Sequence, residues 1–377
     1  MPRMNGGVVG KYNDPSYYQT RGVWGMGDVD SSRRVGEWPQ ALSTTVVAVG
    51  HATLPYITVY EYSDVTGFGA KYTNPASPAA GVQTNGISFS LDGSNVALAH
   101  NTAPNVTVYP WSSSGFGTKY ANPAAFPGLA TEVDFHVSGD SVAVGTTTTP
   151  YTHAYAFSSA GFGTKYANPA TLLIGAIRGL KFSPTGSSIG VSYLRNIINM
   201  AGYPWSNDTG FGAKYADPAS GGGSAGTDLA FTPNGAVIAA GAVTGEMQTF
   251  PWNPVTGFGT RYANPATSVG GSQSALAFDR SGAYLAITHA NGLNLGIYEW
   301  NDITGWGGRQ TTLDPGPIGT GVEFSPSNLS LALCSDASAF VRASPWTPAG
   351  GQGSYFAAPA TAPTGLCYSI TFTQVSS

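Results

Sequence analysis

A glycine-aromatic-glycine triplet, followed by a basic residue, a tyrosine and then Asn-Pro or Asp-Pro, returns along this chain and leaves few folds open to it. It reads TGFGAKYTNPA from Thr66, SGFGTKYANPA from Ser114, AGFGTKYANPA from Ala160, TGFGAKYADPA from Thr209 and TGFGTRYANPA from Thr256. Two degraded copies follow, TGWGGRQ from Thr304 and GGQGSYFAAPA from Gly350. The leading glycines are Gly67, Gly115, Gly161, Gly210, Gly257, Gly305 and Gly351, so the step is 48, 46, 49, 47, 48 and 46 residues. A fixed period in that range marks a repeat architecture, in which each unit buries its apolar surface against its neighbours.

Each unit holds four short apolar runs separated by turn residues, the pattern of strands. In the second unit they are GISFS from Gly86, NVALAH from Asn95, NVTVYPW from Asn105 and GTKYAN from Gly117. Asp92-Gly93 between the first two runs signals a tight hairpin, since glycine accepts positive φ without a steric cost. No stretch keeps a 3.6-residue apolar period, and 51 Gly with 26 Pro leave little room for helices. Seven units of four antiparallel strands predict an all-β, seven-bladed β-propeller. First-strand motifs centre on Phe89, Phe135, Phe182, Phe231, Phe278, Phe324 and Phe372. A second-strand run, VVAVG from Val46, has no first strand before it, and SITFTQ from Ser369 is a first strand left over. The C-terminal strand is therefore expected to complete the first blade and close the ring.

The units, as in FSPTGSSIGVS from Phe182, resemble those of WD-repeat and related propellers over residues 41–377, although the Trp-Asp dipeptide that names that family is absent. The resemblance implies the fold; propellers host enzymes, lectins and scaffolds alike. Only 10% of the residues are charged, against about a quarter in ordinary soluble domains. The net charge of −4 with no basic run excludes nucleic acid as an expected partner. No apolar stretch approaches the ~18 residues of a membrane span, and MPRMNGGVVG lacks the apolar core of a signal peptide. Cys334 and Cys367 are too few for a disulfide framework, fall on neighbouring blades near one face of the ring, and read first as buried thiols, with a bond between them left open.

Residues 1–40 lie outside the repeats and form a separate segment rich in aromatics and arginine. GGVVGKYNDPSYYQTRGVW followed by VGEWPQ resembles an opening segment of virion proteins, often tail proteins, of tailed bacteriophages, through Gly6, Gly7, Val8, Gly10, Pro15, Gly22, Val23, Trp24, Trp38 and Pro39. That resemblance implies a virion structural protein on the particle surface. Its expected task is host attachment or decoration of the tail, without enzymatic activity, cofactor or metal. Residues 1–40 would dock it to other virion proteins, with Trp24, Trp38, Arg21, Arg33 and Arg34 as anchors. A host surface glycan or protein is the expected outer partner, met through loops such as SPAAGVQTN from Ser77 and TLLIGAIR from Thr171. The alternatives are a polysaccharide-degrading propeller enzyme and a capsid decoration or head-fibre protein.

Within the repeats, Tyr62, Trp111, Phe157, Trp205, Trp252, Trp300 and Trp346 share one position and are expected to pack between blades. Lys71, Lys119, Lys165, Lys214, Arg261 and Arg309 form a basic ring at the rim. It reads as edge protection on the outermost strands, with a grip on an anionic polysaccharide as its functional counterpart. His51, His100 and His289 share a position that spreads them around the ring, which suits hairpin capping and not a metal. An enzyme would need acids converging on the central channel. Alternation from the first-strand Phe places Glu132, Asp134, Asp228 and Glu323 there, with Lys181 among them.

Overall fold

The protein is described from a computed structural model that covers residues 43–79, 83–124, 128–194, 199–219, 224–267, 270–289, 294–313 and 319–376. These residues form strands and no helix, arranged as seven four-stranded antiparallel sheets. The second blade runs outward from the channel as Thr84–Phe89, Asn95–His100, Val106–Ser112 and Gly115–Phe116. The first blade is completed as the sequence predicts. Its order is Cys367–Ser376, Ser43–His51, Ile57–Ser63 and Gly67–Lys71, so the last strand of the chain stands innermost beside the first. The ring, Thr45–Val375, is one compact unit.

A blade in a closed ring is covered on both faces, so its second strand loses the polar-apolar alternation of a half-buried strand. Ser188–Tyr193 and Val237–Ala242 are buried at every residue. The core is accordingly divided among the interfaces between blades. Val46, Ala48 and Val59 of the first blade meet Val96, Leu98 and Trp111 of the second. Val47 and Val49 meet Cys334 and Val341 of the seventh across the seam where the ring closes.

Every aromatic of the repeat motif is spent on these interfaces. The ring at the end of the third strand packs edge-to-face on the first-strand Phe of its own blade, at 4.9 to 5.9 Å. It meets the Gly-Phe-Gly ring of the same blade from another side, as Trp111 meets Phe116 at 4.8 Å. The motif tyrosine of the preceding blade closes the cluster: Tyr72 on Trp111, Tyr166 on Trp205, Tyr215 on Trp252 and Tyr262 on Trp300 lie at 5.0 to 5.2 Å. Such pairs add about 0.5–1.5 kcal/mol each beyond the area they bury. The tyrosine hydroxyls then donate to carbonyls in the next blade's turn, Tyr166 to Asn207 at 2.5 Å and Tyr262 to Asp302.

The outermost strands differ from expectation in a way one residue explains. GTKYAN from Gly117 was expected as the fourth strand, but the strand there is Gly115–Phe116. Four blades share this two-residue strand, and those four carry proline near the end of the third strand: Pro110, Pro204, Pro251 and Pro345. The proline carbonyl still accepts, as from Gly117 N at 2.8 Å. Its missing N–H ends the ladder. The three blades with Glu61, Ala156 or Glu299 at that position keep five-residue outer strands, Gly67–Lys71, Gly161–Lys165 and Gly305–Arg309.

Two measurements check this packing. Deleting residues 367–376 removes the innermost strand of the first blade and should produce aggregation or loss of a single cooperative thermal transition. A soluble, cooperatively melting truncation would contradict the closure. Gly257 has φ +81, and a Cβ there would stand 2.7 Å from Tyr215 Cβ; Gly139 has φ +78 with open space around it. Gly139→Ala should cost roughly 1–2 kcal/mol for the left-handed backbone alone. Gly257→Ala should cost more by denaturant titration, the difference reporting the contact with Tyr215.

Candidate active site in the central channel

The innermost strands carry a shared irregularity that builds the channel wall. In six of them the register to the second strand slips by one residue, as between Ala130 and Glu132, Ile177 and Gly179, and Gly319 and Gly321. A β-bulge of this kind leaves an extra residue unpaired and turns its side chain. Strict alternation counted back from Phe182 points Lys181 and Gly179 at the channel and Arg178 away from it. With the bulge, Arg178 lines the channel beside Lys181. Thr320 and Ser274 are turned in the same way. The alternation argument missed all three, because a bulge has no strong mark in the sequence.

The resulting cavity, of about 90 Å³, is walled by Glu132, Arg178, Lys181, Asp228, Ser274, Thr320, Glu323 and Tyr368. Its lining draws on the innermost strands of all seven blades. Four of the five expected channel residues therefore meet in it: Glu132, Lys181, Asp228 and Glu323. Asp134, the fifth, stands beside Lys181 but outside the lining.

Their hydrogen bonds divide the acids by role. Asp134 accepts from Ser88 Oγ at 3.1 Å and from Phe182 N at 2.9 Å, and lies 3.7 Å from Lys181 Nζ, so it ties three neighbouring blades together. Asp228 accepts from Leu229 N at 2.7 Å and from Leu276 N of the next blade at 2.8 Å. Glu323 receives Arg280 at 2.9 Å, and the same guanidinium nitrogen donates to Phe324 O at 3.1 Å. Glu132 is bonded only to the adjacent Val133 N–H. Gly86 and Gly179 alternate with Glu132 and Asp228 around the wall. A Cβ on Gly86 would stand 2.8 Å from Glu132 Oε2, so glycine there makes room for the carboxyl.

The charges are unequal in consequence. Burial pushes the Glu132 carboxyl well above the usual range; Lys181 opposes that, and the Asp228 and Asp134 charges add to it. Burial also raises Asp228, against Lys181 and two main-chain N–H groups, to about 6. Asp134 and Glu323 are raised from the same first cause. Lys181 is desolvated as well, but the surrounding carboxylates outweigh that and hold it protonated. The cavity thus sets a carboxyl held well above the usual range, a carboxylate raised less far and an ammonium beside one another.

The other expected site residues lie elsewhere. Each rim lysine turns back on its own motif: Lys71, Lys119 and Lys165 donate to Asn74, Asn122 and Asn168 at 2.7, 2.6 and 2.5 Å, and Lys214 pairs with Asp217. Arg261 donates to Met247 O and Asn264, and Arg309 to Leu295 O while it stacks on Tyr298. His51 and His100 are buried on separate blades and bonded to Thr58 and Thr107 at 2.9 Å. Burial lowers both to about 4, so both are neutral at pH 7. His289 is buried at the same position of the sixth blade. Trp24, Trp38, Arg21, Arg33 and Arg34 lie outside the described residues.

No protein-family model and no curated protein sequence matches the chain. Solved structures do. The ring is similar to a candidate 6-phosphogluconolactonase from Bacteroides uniformis, at 15% identity and a TM-score of 0.70, covering 88% of this chain and 100% of that one. It is similar to the periplasmic gluconolactonase of Pseudomonas aeruginosa, at 14% identity and 0.67, covering 88% and 99%. The Cps50 (Swd1) β-propeller domain of Myceliophteria thermophila follows at 14% and 0.58, covering 81% and 97%. At such identities the likeness establishes the propeller fold. It also corrects the expectation of a non-enzymatic phage virion protein engaged in attachment or decoration. That expectation rested on residues 1–40, whereas the ring's counterparts include proteins named as lactonases and none of these three is named as a virion component.

Proposed function

We propose that the chain is a hydrolase of small cyclic esters, of the lactone class, acting in the channel cavity. The observation that carries this reading is Glu132 and Asp228 facing one small cavity beside Lys181, with Glu132 pushed well above the carboxylate range and Asp228 to about 6. The lactonase names of two structurally similar proteins support the choice of reaction among those that an acid-base pair can run. In this reading Asp228 takes a proton from a water molecule as that water adds to the ester carbonyl. The Lys181 ammonium stabilises the oxyanion that forms. Glu132 gives its proton to the ring oxygen as the C–O bond breaks, yielding a hydroxy acid. Arg178, exposed at the cavity wall, receives the new carboxylate. Solvent then returns a proton to Glu132 and removes one from Asp228.

The test is hydrolysis of sugar lactones by the purified chain, with aryl glycosides as the comparison substrates. Lactone turnover without glycoside turnover is expected; glycoside cleavage alone would replace the lactone reading with a glycosidase. The rate should rise with pH through about 6 as Asp228 ionises, and fall at higher pH as Glu132 loses its proton. Glu132→Gln and Asp228→Asn should each lower kcat by about 10²–10⁴-fold. Glu132→Gln preserves the neutral form of that side chain, so its melting temperature should stay within about 2 °C of the parent. A fully active Glu132→Gln variant would remove the proposed acid.

A further inference from the structure

We propose that Cys334 and Cys367 are a disulfide site that locks the seam of the ring, tying the closing strand to the seventh blade under oxidising conditions. Cys334 lies in Ser330–Ser335, the second strand of the seventh blade, and Cys367 opens the innermost strand of the first. Both are fully buried in the apolar cluster of that seam. Cys334 Sγ donates to Ser369 O at 3.4 Å and Cys367 Sγ to Gly365 O at 3.7 Å, and the Cys334 thiol is raised by burial and then by the neighbouring Cys367 thiol.

The repeat supplies an independent measure of this site. The fifth residue of each second strand faces the first residue of the next blade's innermost strand, and at most interfaces one of the two is glycine. A Cβ on Gly226 would stand 3.1 Å from Ser192 Cβ, on Gly241 2.9 Å from Gln273 Cβ, on Gly319 2.8 Å from Thr288 Cβ and on Gly145 2.8 Å from Ile177 Cβ. Two real Cβ atoms at this position are thus forced close together, and a disulfide needs about 3.5–4.5 Å between them. At the seam both residues are cysteine. The position that at most other interfaces needs a glycine here holds two cysteines face to face.

The step is thiol-disulfide exchange with a small-molecule disulfide such as oxidised glutathione. One cysteine thiolate attacks it to form a mixed disulfide and release one glutathione thiolate. The second cysteine, as its thiolate, then displaces the other, so two protons and two electrons leave the protein and two glutathione thiols form. Burial raises the Cys334 thiol, so exchange waits on lifting of the terminal strand.

The full chain is equilibrated in mixtures of reduced and oxidised glutathione, through a mild-denaturant step that opens the seam, and acid-quenched. Thiol titration and intact mass should show both thiols lost together, with no glutathione adduct and no dimer. The oxidised protein should melt higher by about 5 °C, an increase that dithiothreitol reverses and that Cys367→Ala lacks. Two thiols persisting at every ratio, a stable glutathione adduct, a crosslink between chains, or a disulfide that leaves the melting point unchanged would overturn the proposal. The parent protein's oxidised and reduced forms decide the matter even where a variant fails to fold.

Discussion

The contact on which this ring depends is the aromatic at the end of each third strand. A four-stranded blade is too small to bury two faces by itself, and its stability comes from interfaces with neighbours. Tyr62, Trp111, Phe157, Trp205, Trp252 and Trp300 each join three parts of such an interface: the innermost strand, the outermost turn and the tail of the preceding blade. The Lys-Tyr pair that follows the glycine triplet serves the same contact. The lysine holds the loop to its own Asn or Asp, and the tyrosine crosses to the next blade. Glycine begins the triplet because the preceding tyrosine leaves no space for a side chain, as Tyr215 does at Gly257.

The degraded copies show how strongly that contact is required. The sixth copy has Gln310 where the first five have tyrosine, yet Trp346 is not left bare. Tyr284, at the start of the sixth blade's second strand, packs on Trp346 at 5.1 Å, and its hydroxyl donates to Pro348 O at 3.0 Å. That carbonyl stands two residues after the tryptophan, as Asn207 stands after Trp205. In the seventh copy Phe356 takes the place of tyrosine against Tyr62 at 6.5 Å. The motif decayed in sequence while its packing was supplied by other residues.

This explains what could be read from the chain. Blade number, ring closure and the packing role of the aromatics were legible because each is repeated, and a repeated residue type shows a repeated environment. The length of the outer strands was equally visible in Pro110, Pro204, Pro251 and Pro345, although it took the ladders to connect them. The site was half legible. Alternation from the first-strand phenylalanines found Glu132, Lys181, Asp228 and Glu323 and set Asp134 beside Lys181, but it missed Arg178, because the bulge resets the alternation partway along the strand. Function was the least legible, since residues 1–40 and the ring point to different classes of protein.

The division among the channel acids follows from the same geometry. At the narrow end of a ring, neighbouring innermost strands do not form a ladder with one another, so their facing N–H groups need side-chain acceptors. Asp134 and Asp228 take the N–H groups of Phe182 and Leu276, and Ser369 Oγ takes that of Ile87 at 3.2 Å. An acid in this role is held by donors that favour its ionised form, which limits how far burial can raise it. Glu132 has no such neighbour to hold. Glycines stand beside it and its carboxyl projects into the cavity, so burial acts on it with less opposition and raises it well above the usual range. Which acids staple the ring, and which is left to the cavity, is thus decided by which of them faces an unpaired main-chain donor.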